Sequence, residues 1–146
     1  MIDQFTIFTG LALFTLAWFT YSDIKKGTVD GRRNSYMSGA VIALMLLDPV
    51  GRIIPYFGAV AVTLVIGILV SRRIGLGDTR AFYWLIPGFA IFNFQYAILF
   101  FILVVGINTG VFGVIRLLKL KHERTPFFPI ITGAFLATTY LIGLMA

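Results

Sequence analysis

There is no cysteine anywhere in the 146 residues. Disulfides, thiol nucleophiles and cysteine-ligated zinc are therefore excluded. Histidine occurs once, as His122, among Lys121, Glu123 and Arg124, which reads as a basic loop position; with no second His it supports no metal site. Charge is scarce too: 12% of the residues are charged, and only six are acids. A soluble domain this small needs a polar shell around its core, and too few polar residues are present to make one. What fills the chain is apolar: 59% of residues are hydrophobic and the mean hydropathy is +0.95. Lipid is the solvent that suits such a composition. The long apolar runs lack the alternation of a membrane barrel strand, whereas helices satisfy their own backbone in hydrocarbon. The expected class is all-α, a polytopic integral membrane protein. The net charge of +6 then belongs to Lys and Arg held near anionic headgroups, and no nucleic-acid partner is expected.

Uncharged stretches run over residues 4–22, 34–47, 53–71, 81–115 and 125–146. A span needs roughly 20 residues, which the first, third and fifth supply. As one helix the fourth stretch would be about 52 Å long, too long for the bilayer. It also carries Pro87-Gly88 and the polar break Asn93-Phe94-Gln95, so it reads as two spans joined by a tight turn. The second stretch is short but can cross if Arg32 and Arg33 snorkel and Asp48-Pro49 closes its other end. Six transmembrane helices result, in a single domain over residues 1–146. The first begins after Asp3, without a basic n-region, and is of spanning length, unlike a cleavable signal peptide.

Charge placement favours the same count. With six spans, eleven of the twelve basic residues share one side, in loops 22–33, 72–80 and 116–124, and only Arg52 lies opposite. Either five-span alternative splits the basic loops between the two sides. The positive-inside rule then puts the basic loops in the cytoplasm and both termini outside it, as expected for a multi-pass protein of the cytoplasmic membrane.

Each of the six acids needs a reason near hydrocarbon. Asp3 and Asp48 fall at outer helix ends and read as interfacial. Asp23, Asp30, Asp78 and Glu123 fall on the inner side. Asp23 ends the first helix and Asp78 stands in Gly75-Leu76-Gly77-Asp78, at the same depth. Two facing carboxylates can share a proton, the ionised one activating water while the protonated one polarises a carbonyl. Plainer readings exist: Asp78 as a helix N-cap, and Asp23 as the ion-pair partner of Lys25, Lys26 or a nearby Arg.

Gly75-Leu76-Gly77-Asp78 resembles the Gly-x-Gly-Asp signature of type IV prepilin peptidases and archaeal preflagellin peptidases, which are intramembrane aspartic proteases. Tyr21-Ser22-Asp23-Ile24-Lys25-Lys26, followed by Arg32-Arg33-Asn34, resembles the family's first aspartate and the basic stretch behind it. Pro126-Phe127-Phe128-Pro129 is similar to the element that opens the last helix of bacterial members. The resemblance implies a leader peptidase with Asp23 and Asp78 as catalytic acids, Gly75, Gly77, Pro126 and Pro129 around the substrate, no cofactor, and pilin-like or archaellin precursors as partners. There are departures. Arg80 stands where Lys is common, and Val29-Asp30-Gly31 occupies the neighbourhood of the usual Ile-Pro-Asn, making Asp30 a rival for the first catalytic position. The cysteine-free, short first loop is like the compact, peptidase-only form.

Other features have structural readings. Gly106-x-x-x-Gly110 and Gly113 are expected to allow close helix packing, and Asn108 to bond across helices. Pro126 is expected to start the sixth helix, and Phe82, Tyr83 and Trp84 to form an interfacial anchor or line a substrate groove. A rival function is a small transporter or channel component with ion-coupling aspartates, which calls for acids near mid-membrane; all six lie near span ends.

Overall fold

A computed structural model describes residues 3–26, 31–70, 76–119 and 127–145, the side chains of 70 and 76–79 excepted. It is all-helical among these residues: α1 (Gln4–Lys26), α2 (Gly31–Leu46), α3 (Pro49–Val70), α4 (Leu76–Ala90), α5 (Phe94–Leu117) and α6 (Phe128–Met145). Four of them, α1, α3, α5 and α6, are long and apolar enough to cross a membrane, whereas α2 and α4 have 16 and 15 residues.

Helix boundaries follow local chemistry. Asp3 caps α1: its carboxylate accepts from the Thr6 N–H at 2.6 Å, which holds its pKa below the ordinary value, and its carbonyl accepts from Ile7. Between α4 and α5 the break falls at the polar triplet, where Asn93 is in extended backbone and its side chain accepts from the Gln95 N–H. After Leu118, Lys119 takes a left-handed conformation (φ 49°) as the chain leaves α5.

The short helix α4 is the centre of the molecule. Ala81, Phe82, Trp84, Leu85, Ile86, Phe89 and Ala90 are all buried, on every side of the helix, and a helix apolar all round is a core helix. The other five form a ring about it in the order α1, α2, α3, α5, α6 and back to α1. Ring stacking ties the core together: Phe89 meets Phe8, Phe100 and Phe135 at centroid distances of 5.5, 5.3 and 5.5 Å. Gly88 lets the Phe8 ring lie against the α4 backbone, where a Cβ would collide with it. The ring is loosest between α3 and α5, where Ala59, Val62, Ile66, Ile86 and Phe101 help line a wholly apolar cleft of about 120 Å³.

Outside the ring the surface is apolar. Val50, Leu117, Ile54, Tyr36 and Phe14 are 93, 83, 81, 73 and 70% exposed, a surface matched by hydrocarbon rather than water. Four expectations are corrected. Phe82 and Trp84 are buried in the bundle, at 5 and 0% exposure, so they anchor nothing at an interface. Gly106, Gly110 and Gly113 have open space where a Cβ would stand. They face away from the inward positions Ala97, Phe100 and Val104, so the close packing expected of them is not made among the described residues. Asn108 lies on the inner side, with its Oδ1 buried and without a hydrogen-bond partner among the described residues. The sixth helix opens at Phe128 instead of Pro126, which lies outside the described residues.

At one end of the bundle, Arg52 holds four elements. Its Nη1 donates to Gln4 Oε1 at 2.5 Å and to the Leu44 carbonyl at 2.8 Å. Its Nε lies 3.8 Å from Asp48 and its guanidinium 5.2 Å from the Phe92 ring centroid. Arg52 is thus a partly buried staple of helix ends.

Candidate active site

At the other end, the ends of α1 and α2, α4 and α6 converge. Asp23 sits in the last turn of α1 and is only 6% exposed. Its Oδ2 accepts from the backbone N–H of Phe128, the first residue of α6, at 3.4 Å. That N–H is one of the donors a helix start leaves without an internal partner, and the positive end of the α6 dipole faces a negative group there. At its own helix C-terminus the same carboxylate is badly placed, so docking α6 supplies a partner that α1 cannot. The bond is longer than the ordinary ~2.9–3.0 Å, and other contacts fix the pair. The Phe19 and Phe128 rings meet edge to face at 5.2 Å, and the Thr20 and Thr132 hydroxyls bond at 2.8 Å.

α4 enters the same corner through its first two turns. Phe82 packs on Phe127, ring centroids 6.1 Å apart, and Phe127 is the residue whose carbonyl starts the hydrogen bonding of α6. Asp78 is the third residue of α4, four positions before Phe82. Because α4 begins at Leu76, Asp78 is inside the first turn and is not the N-cap. Arg80 reaches across to α2: its guanidinium lies over Gly31, 2.6 Å from where a Cβ would be.

Of the residues singled out in the sequence, Asp23 and the Phe127-Phe128-Pro129 segment are thus brought together. Asp30, Gly75 and Pro126 lie outside the described residues, as do the side chains at Gly77 and Asp78. One site residue carried no functional reading beyond closing the basic stretch. Asn34, in the first turn of α2, is 4% exposed. Its Oδ1 accepts from Trp84 Nε1 at 2.8 Å, and its Nδ2 is buried with no hydrogen-bond partner among the described residues. Its signal was available: Asn34 is the polar member of an otherwise apolar face continued by Met37, Val41 and Leu44.

Comparison with family models, with curated proteins and with solved structures finds no match to this chain.

Proposed function

We propose that this chain is an intramembrane aspartic endopeptidase that removes the leader peptide from type IV pilin-like or archaellin precursors. In this reading all six helices cross the cytoplasmic membrane, both termini lie outside, and the corner holding Asp23 faces the cytoplasm. The observation that carries it is the buried Asp23 carboxylate docked on the first N–H of α6. That docking joins two of the three elements whose order resembles the prepilin and preflagellin peptidases. Leu76, Gly77 and Asp78 of the third, Gly-Leu-Gly-Asp, are the first residues of the central helix. The acids also sit at helix ends, which suits cleavage at the junction of leader and membrane helix better than ion coupling at mid-membrane.

The chemistry is that of a carboxylate pair. One of Asp23 and Asp78 is ionised and takes a proton from water as the oxygen adds to the scissile carbonyl. The other is protonated and donates to the carbonyl oxygen. The tetrahedral intermediate collapses with loss of the C–N bond, and the departing amine takes a proton from the pair. The substrate helix stays in lipid while its leader extends into the loop region, where glycine, lacking a Cβ, suits pairing with an extended segment.

Co-expression with a leader-bearing precursor, followed by intact mass, tests this. Wild type is expected to convert the precursor to the mass of the mature chain, and Asp23→Asn and Asp78→Asn to leave it unprocessed. Asp30→Asn is expected to process normally. Continued cleavage by Asp78→Asn overturns the mechanism.

A further inference from the structure

The basic end of the bundle carries an exterior feature separate from the buried corner. Along one stripe of α1, at helical spacing, stand Phe14, Trp18, Tyr21 and Lys25. Phe14, Trp18 and Tyr21 are 70, 44 and 55% exposed. The stripe therefore grades from apolar, through amphipathic aromatic, to cationic as it approaches the helix end, in the order in which a bilayer grades from acyl chain to headgroup. Trp18 lies about 12 Å before the end of α1 at 1.5 Å per residue.

Two cations are drawn back onto this stripe. Lys25 Nζ donates to the Tyr21 hydroxyl at 2.8 Å and lies 5.3 Å from that ring's centroid. Arg33, from α2, places its guanidinium 4.1 Å from the Trp18 ring centroid, and the Trp18 and Tyr21 rings are 6.5 Å apart. Neither Lys25 nor Arg33 has a carboxylate partner among the described residues. Two positive groups are thus held over adjacent exposed rings, on an outer face that continues into the apolar Phe14 and Leu11.

We propose that this face binds an anionic phospholipid: Arg33 and Lys25 take the headgroup phosphate, Trp18 and Tyr21 its glycerol level, and Phe14 and Leu11 an acyl chain. The apolar continuation selects a lipid over a free anion, and the unpaired double charge selects an anionic headgroup over a zwitterionic one. The site rests on the membrane-embedded reading and is independent of proteolysis.

The chain has two tryptophans, and Trp84 is fully buried, so lipid-borne quenchers report on Trp18, isolated by subtracting the Trp18→Phe signal. The full chain is reconstituted into phosphatidylcholine vesicles containing a minor fraction of phosphatidylglycerol. Bromine is carried on the acyl chains either of the phosphatidylglycerol or of an equal amount of phosphatidylcholine, so that only the label moves. Brominated phosphatidylglycerol is expected to quench Trp18 severalfold more than brominated phosphatidylcholine. Lys25→Gln with Arg33→Gln is expected to bring that ratio to one. Arg116→Gln with Lys119→Gln, which removes two cations from the same end of the bundle, is expected to leave it. A ratio of one in the wild type overturns the site, as does equal loss in both double variants, which is the signature of general surface charge. Absence of quenching by either label overturns the membrane-embedded reading itself.

Discussion

The carboxylate of Asp23 and the backbone N–H of Phe128 meet across 3.4 Å, though 105 residues separate them in the chain. The contact joins the last turn of α1 to the first turn of α6. It leaves Asp23 at 6% exposure, beside the Phe19–Phe128 ring pair. A buried carboxylate is a costly thing for a small bundle to keep. Here it lies between the end of one helix and the start of another, where a helix dipole and an unpaired donor both favour it. A purely structural helix cap and a catalytic acid differ in what happens when the charge is removed and the shape is kept.

Asp23→Asn retains the shape and an acceptor oxygen for Phe128. Its thermal midpoint in detergent is expected to stay within a few degrees of wild type while precursor processing falls about 100-fold or more. Asp23→Leu removes the acceptor as well and is expected to lose roughly 1–3 kcal/mol of stability. If the role is only structural, Asp23→Asn processes normally.

Asn34 and Trp84 hold each other inside the bundle. Asn34→Leu leaves Trp84 Nε1 without its acceptor, and Trp84→Phe leaves the Asn34 amide without its donor. Each single change is expected to destabilise the fold, and the pair together by less than their sum. The coupling is expected at about 0.5–1.5 kcal/mol, as for hydrogen bonds between membrane helices. Unfolding of the four proteins in mixed detergent gives the cycle; additive effects would show that the bond contributes nothing.

The helical class and the breaks between helices were legible because they are local. Asn93 marks the break that the long fourth uncharged stretch requires, and it caps α5 as an Asn before a helix should. The role of Arg52 was not legible, because it is reached only by knowing that Gln4, Leu44, Asp48 and Phe92 meet. Direction around a helix was the harder problem. Gly106 and Gly110 read as a packing face, yet Ala97, Phe100 and Val104 turn the opposite side of α5 inward. In an apolar helix a small residue suits an inner contact and open lipid alike. Phe82 and Trp84 were misplaced similarly, since aromatic residues near a basic loop suit an interface or a core, and only the central position of α4 decides. The Asp23–Phe128 contact has no local signature, because its partners lie 105 residues apart in the chain.

Arg52 should be replaceable by no simple cation. Arg52→Lys keeps the charge but loses the planar group that offers Nη1 to Gln4 and the Leu44 carbonyl while its Nε faces Asp48. Both Arg52→Lys and Arg52→Ala are expected to lower stability, the alanine variant by roughly 1–3 kcal/mol because the Leu44 carbonyl loses its side-chain donor. Topology reporters fused to the C-terminus should give the wild-type orientation in both, since the charge asymmetry survives. Wild-type unfolding of Arg52→Lys would contradict the staple.

The glycines divide sharply. Gly88→Ala places a methyl group against the Phe8 ring in the core and is expected to cost about 1–3 kcal/mol through overpacking. Gly106→Ala and Gly110→Ala meet open space and are expected to change the stability of the isolated chain by less than about 0.5 kcal/mol, the ordinary range for exposed substitutions. Unfolding in detergent, where chains are dilute, compares them; a large loss at Gly106 or Gly110 would mean that this face is packed after all.

That Asp23 and Asp78 share one site is tested most directly by cross-linking, and the cysteine-free chain is a ready background for it. Asp23→Cys with Asp78→Cys is treated in membranes with oxidant or with a one- or two-carbon methanethiosulfonate linker. Thr20→Cys with Thr132→Cys, whose native hydroxyls are 2.8 Å apart, serves as the reference pair. A directly formed disulfide requires Cα atoms within about 7 Å, and a short linker extends that reach only slightly. The expected result is an intramolecular cross-link between positions 23 and 78 in yield comparable to the reference. Full cross-linking of the reference with none between 23 and 78 would contradict the shared site.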